Sequence, residues 1–100
     1  MRQWFVVQTN PREEERVLHY LGEKRVETFF PKIQAVRYKG LTGKIAIKPM
    51  FPSYLFTRFQ APDETPFVRW TRGVKQILGA DENPIAVDDE AVDFIMGQVD

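Results

Sequence analysis

Lys48-Pro49-Met50-Phe51-Pro52-Ser53-Tyr54-Leu55-Phe56-Thr57-Arg58-Phe59 is the stretch on which the fold turns. Two prolines precede a run whose alternate positions are nearly all large. Strand side chains point alternately to opposite faces, so Leu55, Thr57 and Phe59 share one face and Tyr54, Phe56 and Arg58 the other. A strand buried on one side only carries polar residues on its second face. Here that face carries two aromatics. Either a second layer covers it, or it is a docking surface.

Working outward, Gln3 to Gln8 (Gln-Trp-Phe-Val-Val-Gln) reads as a strand, being rich in β-branched and aromatic residues. Asn10-Pro11 predicts a helix start, with Asn10 as N-cap, Pro11 in the first helical position and Glu13 at capping-box spacing. Glu13, Glu14 and Glu15 suit the positive end of the helix dipole. Val17, Leu18 and Leu21 form the apolar stripe, and the helix is expected to fray between Gly22 and Arg25.

Val26 to Lys39 is extended and broken by Pro31. Gly40-Leu41-Thr42-Gly43 is a turn between two basic, β-rich arms, so a hairpin follows. Pro49 and Pro52 donate no ladder bonds and mark an edge or bulge on the return. Pro62 to Trp70 reads as loop plus short helix, with Phe67 and Trp70 at i, i+3. Val74 to Leu78 is a short strand, 79–84 a polar loop and 85–87 one more strand. Asp88 or Asp89 caps a last helix with the stripe Val92, Ile95, Met96 and Val99. The order β-α-β-β-α-β-α predicts an α+β sandwich, an antiparallel four-stranded sheet with helices mainly on one face.

The 100 residues suffice for one domain with a modest core. There is no Cys, which excludes disulfides and thiolate metal sites. No apolar run approaches the roughly 20 residues of a membrane span, and no signal peptide is evident. A cytoplasmic monomer is expected. The net charge is zero. Residues 31–60, however, hold six Lys/Arg (Lys32, Arg37, Lys39, Lys44, Lys48, Arg58) and no acid, while 61–100 hold three against nine. Free-standing duplex binders show a net basic footprint, so tight autonomous DNA binding is not expected. A local basic edge on nucleic acid held by another protein is compatible with the pattern.

Catalytic chemistry is sparse. His19 and Ser53 are the only residues of their kinds and lie on different elements. The acid clusters 13–15 and 88–90 open helices, where capping and dipole complementation account for them. Gly40 and Gly43 frame a turn and precede no helix, so there is no phosphate loop. Neither an enzyme nor a cofactor or metal site is expected.

Several motifs together resemble the N-terminal (NGN) domain of the NusG family of transcription elongation and antitermination factors. They are Trp4-Phe5-Val6-Val7-Gln8-Thr9, the Glu-rich helix start with Val17 and Leu21, and Phe30-Pro31-Lys32. The Gly40–Gly43 hairpin, Pro49-Met50-Phe51-Pro52-Ser53-Tyr54-Leu55-Phe56, Thr71-Arg72-Gly73-Val74 and Pro84-Ile85 follow in the family's order. The resemblance covers essentially residues 1–100. It implies a factor that binds the clamp helices of the largest RNA polymerase subunit, bridges the cleft and suppresses pausing. The implied docking patch is Trp4, Val6, Phe51, Pro52, Tyr54 and Phe56. Arg12, Arg16, Tyr20 and Arg72, with Lys39 or Lys75, are implied contacts to the non-template DNA strand, and Thr65 to the opposite jaw. Such factors carry a second, KOW-type domain that recruits Rho or the ribosome; no KOW pattern occurs in these 100 residues. The acidic start of the first helix differs from sequence-specific paralogues of the RfaH type, whereas Thr-Arg-Gly-Val and the compact hairpin are similar to them. A stand-alone RNA-binding module using exposed sheet aromatics is the alternative, although it expects a basic aromatic motif not found here.

Overall fold

The computed structural model describes residues 1–80 and 83–98. Its central sheet runs β2 (Glu27–Phe29), β5 (Tyr54–Phe59), β1 (Gln3–Thr9), β6 (Val74–Ile77), all antiparallel. A short fifth strand, β9 (Ala86–Val87), pairs with the first half of β1, on Trp4 and Phe5, while β6 takes the second half. The expected antiparallel four-stranded α+β arrangement is thus the core of the fold, with β9 added at one edge.

Alternation along β1 and β5 divides the core in two. Phe5, Val7, Leu55 and Phe59 meet Val17 and Leu21 of α1 (Glu14–Glu23) and Val68 of α2 (Thr65–Arg69). On the other face Trp4 and Phe56 meet Val92 of α3 (Asp89–Met96). Two of the three helices, α1 and α2, thus pack on the first face, as expected, and α3 alone lies on the second. The apolar stripe Val92, Ile95, Met96 has nowhere else to bury than against the second face of the sheet. Val99, expected in that stripe, lies outside the described residues.

The helix start also differs from the expectation. Arg12 takes a left-handed φ of +63°, so α1 begins only at Glu14 with Glu13 as its N-cap. Asn10 does not cap it. Asn10 closes the preceding turn instead: its carbonyl accepts the Glu13 N–H at 3.2 Å, and its side-chain amide donates to the Glu13 carboxylate at 3.1 Å. The end of α1 is a Schellman motif. Arg25, at φ +60°, donates to the Gly22 carbonyl and Val26 to the Leu21 carbonyl, satisfying the last carbonyls of the helix.

The hairpin β3 (Lys32–Lys39) and β4 (Thr42–Pro49) forms a separate two-stranded sheet. Gly40 opens its two-residue turn at φ +65°, a conformation glycine adopts without a Cβ clash. β7 (Gly79–Ala80) and β8 (Asn83–Pro84) form a third, minimal pair. Among the described residues no helix is long and apolar enough to cross a membrane.

Candidate protein-docking surface

The candidate surface is built on one turn. Tyr54 donates its backbone N–H to the Phe51 carbonyl at 3.1 Å, closing Phe51-Pro52-Ser53-Tyr54. Pro52 sits at the second position, where its fixed φ fits, and Ser53 at the third with φ +70°, the pattern of a type II turn. Glycine is the usual residue there. Ser53 is held by a hydrogen bond from its N–H to the Glu14 carboxylate at 3.1 Å and by the Thr9 N–H on its carbonyl at 2.8 Å. The turn leaves Phe51 and Pro52 exposed and Tyr54 half-buried.

Three phenylalanines grade from this surface into the core. Phe51 is 40% exposed and meets Phe56 edge-on at 6.2 Å; Phe56 in turn stacks on Phe29 at 6.1 Å. Half-buried Val6, Ile95 and Met96 pack against the same cluster. The result is an apolar strip whose inner members fix the outer ones, as binding hot spots require.

The expected patch is corrected in two places. Trp4 is 3% and Phe56 8% exposed, because α3 lies over them; of the two options for this face, a second layer covers these two residues. Face assignment along the strands holds, but the second face is itself a core. Val6, Phe51, Pro52 and Tyr54 remain accessible in whole or part. Phe29, Ile95 and Met96 belong to the strip and were not singled out. The stripe of the last helix is the signal that contained two of them.

Arg12, Arg16 and Arg72 are brought to one rim. The Asn10 N–H donates to the Gly73 carbonyl at 2.9 Å, seating the 71–73 loop on the start of α1. Arg12 and Arg72 are exposed, whereas Arg16 pairs with Glu13 at 3.0 Å. Tyr20 lies one turn further along and is half-buried. Lys24 donates to the Phe67 carbonyl at 3.1 Å and to Thr71 Oγ1 at 2.9 Å, tying α1 to the end of α2. Trp70, 73% exposed with the Arg69 guanidinium 4.6 Å from its ring centre, stands near this junction. Sequence reading noted its spacing from Phe67 but not that both face solvent while Val68 points inward. Thr65 is buried, at 6% exposed, and its hydroxyl has no hydrogen-bond partner among the described residues. Lys39 is exposed on the hairpin and Lys75 is exposed on β6.

Three comparisons bear on this architecture. A family model described as "Transcription termination factor nusG" matches residues 2–96. Among curated proteins none matches. A solved structure titled "Domain interaction in Thermotoga maritima NusG" superposes with a TM-score of 0.67 at 20% identity, over 98% of this chain and 57% of that one. That likeness shows the fold, and the chain spans little more than half the length of that structure. The family match runs from the first strand to the last helix, through every element that builds the strip, and the chain belongs to the NusG family.

Proposed function

We propose that this chain is the polymerase-docking domain of a transcription elongation factor. Family membership supports a transcription elongation or antitermination factor domain, and the family is non-catalytic. The carrying observation is the Phe51–Tyr54 turn, which holds Phe51, Pro52 and Tyr54 on an apolar strip backed by Phe56 and Phe29. That strip would seat against the clamp helices of the largest polymerase subunit, with Val6 at its border. Arg12, Arg16, Tyr20 and Arg72 would lie toward the non-template strand. Coupling to Rho or the ribosome belongs to a KOW-type domain, and the setting is the cytoplasm.

The domain must favour the closed, elongating polymerase over the paused one, because equal affinity for both would shift nothing. A differential of about 1 to 2 kcal/mol shortens pauses roughly 5- to 30-fold if fully expressed. Capture of core RNA polymerase by the immobilised chain tests docking. Single-round transcription across a known pause, with saturating protein, tests the effect. Docking with unchanged pause lifetimes would refute pause suppression by this domain alone. The stand-alone RNA platform is less well supported, since α3 covers Trp4 and Phe56, the aromatics that would stack on bases.

A further inference from the structure

The β3–β4 hairpin is bonded to no strand of the central sheet, and among the described residues none of its side chains belongs to either core cluster. Its register pairs Gln34 with Ile47, Val36 with Ile45 and Tyr38 with Gly43. Directly paired side chains share a face, and every second residue repeats it. One face therefore carries Val36, Tyr38, Ile45 and Ile47, which are 56, 75, 71 and 61% exposed. The other carries Arg37, Lys39, Lys44 and Lys48.

The apolar face is level and almost free of charge. The Tyr38 ring lies over Gly43, where a Cβ would stand 3.1 Å from Tyr38 Cε1 and 3.3 Å from Val36 Cγ1. The ring is thereby folded down beside Val36. Along this register the face has one charge, Lys32 at its base, and Glu15 pairs with it. A two-stranded hairpin with an open apolar face is marginal in water and gains stability from a second layer. Among the described residues no helix or strand covers these four side chains.

We propose that this face is an interface between two copies of the chain, stacked hairpin on hairpin. With ordinary side-chain areas the four residues leave roughly 500 Å² open, toward the top of the roughly 300–600 Å² found for the largest patch on a monomer. Two copies face to face cover roughly 1,000 Å², the lower bound of a specific interface, so the dimer is weak and reversible. Charge selects a second copy over a charged partner, because the face offers such a partner nothing to pair with. Stacked sheets lie about 10 Å apart, and with the apolar faces inward the cations of both hairpins point out to water. The chain's zero net charge sets no long-range repulsion against the approach of a copy. In an isologous pair each hairpin becomes the second layer of the other, which is the layer each lacks. The dimer replaces the monomer expected from the sequence, and it stands independently of the polymerase reading.

The test is sedimentation of the whole chain between about 1 µM and about 1 mM, the range in which so small an interface should assemble. The average mass should rise from one chain towards two, and added salt should not lower it, because the contact is apolar. A mixture of isotope-labelled and unlabelled chain reports contacts between copies without any substitution. Nuclear Overhauser effects should run from the Tyr38 ring to the Ile45 and Ile47 methyls of the other copy. Ile45→Glu should weaken association roughly 30-fold or more. An equimolar mixture of Ile45→Glu and Ile45→Lys should associate more tightly than either variant alone. Arg37→Gln with Lys44→Gln, on the outward face, should leave association unchanged. Amide spectra of the dilute variants verify their fold. A single-chain mass at about 1 mM would overturn the proposal and leave the face to a different partner. Contacts between copies that map to other elements, dissociation by salt, or unweakened association of folded Ile45→Glu would overturn it as well.

Discussion

The Glu14 carboxylate accepts the backbone N–H of Ser53 at 3.1 Å, joining the first turn of α1 to the turn that presents Phe51 and Pro52. Helix and apolar strip are therefore tied together, although the partners stand 39 positions apart in the sequence. A carboxylate is suited to this place because it caps a backbone donor that Ser53, at φ +70°, turns away from the ladder.

Glu14→Ala is expected to cost about 1 to 2 kcal/mol, the usual value of a charge-assisted bond to a partly buried donor. Ser53→Gly relieves a left-handed residue but adds chain entropy to the unfolded state, so it should lie between neutral and about 1 kcal/mol stabilising. Urea unfolding measures both. A loss above about 1 kcal/mol in Ser53→Gly would show that the serine side chain, and not the backbone bond, secures the turn.

Gly73→Ala should be damaging. A Cβ at Gly73 would lie 2.7 Å from Val17 Cγ2, and the residue sits at φ +94°. Steric conflict with a buried core residue and backbone strain together predict a loss of about 2 kcal/mol or more. Adding Val17→Ala removes the clashing methyl, so the double variant should lose less than the sum of the singles. Additive losses would assign the whole cost to the backbone conformation.

Thr57 is fully buried on β5, and its hydroxyl has no hydrogen-bond partner among the described residues. Thr57→Val removes an unsatisfied oxygen while keeping the β-branch, and should stabilise the domain by about 1 kcal/mol in thermal or urea unfolding. A destabilised variant would reveal a partner for that hydroxyl.

What could be read from the residues, and what could not, follows from range. The strands were legible because alternation is local: Phe5, Val7, Leu55 and Phe59 share the first face as their spacing requires. The hairpin was legible from its glycine-bounded turn. The start of α1 was misread because Asn10, Pro11 and Glu13 satisfy every local capping rule. A left-handed Arg12, with the 71–73 loop bonded to Asn10, decides otherwise. Trp4 and Phe56 were misread for a similar reason. Alternation shows that they face away from α1, but only the chain's return through α3 decides whether that side is solvent or core. The cations of the hairpin were visible as a run, but their segregation to one face needed the register.

The graded burial of the phenylalanines separates docking from folding, and this yields the last prediction. Phe51 is 40% exposed, Phe56 8% and Leu55 0%. Leu55→Ala should cost about 2 to 5 kcal/mol of stability as a core truncation. Phe56→Ala, removing a ring that Phe29 and Phe51 both touch, should cost about 3 kcal/mol or more. Phe51→Ala should cost less than about 1 kcal/mol of stability yet weaken polymerase binding by about 2 kcal/mol, roughly 30-fold, if it is a hot spot. Tyr54→Ala, half-buried, should lose on both counts. Urea unfolding and polymerase affinity measured on the same four variants separate the two quantities. Phe51→Ala is the decisive one, because its fold is spared. Unchanged polymerase affinity in that variant would move the docking surface off this strip, and an affinity loss matched by loss of pause suppression would tie the strip to activity.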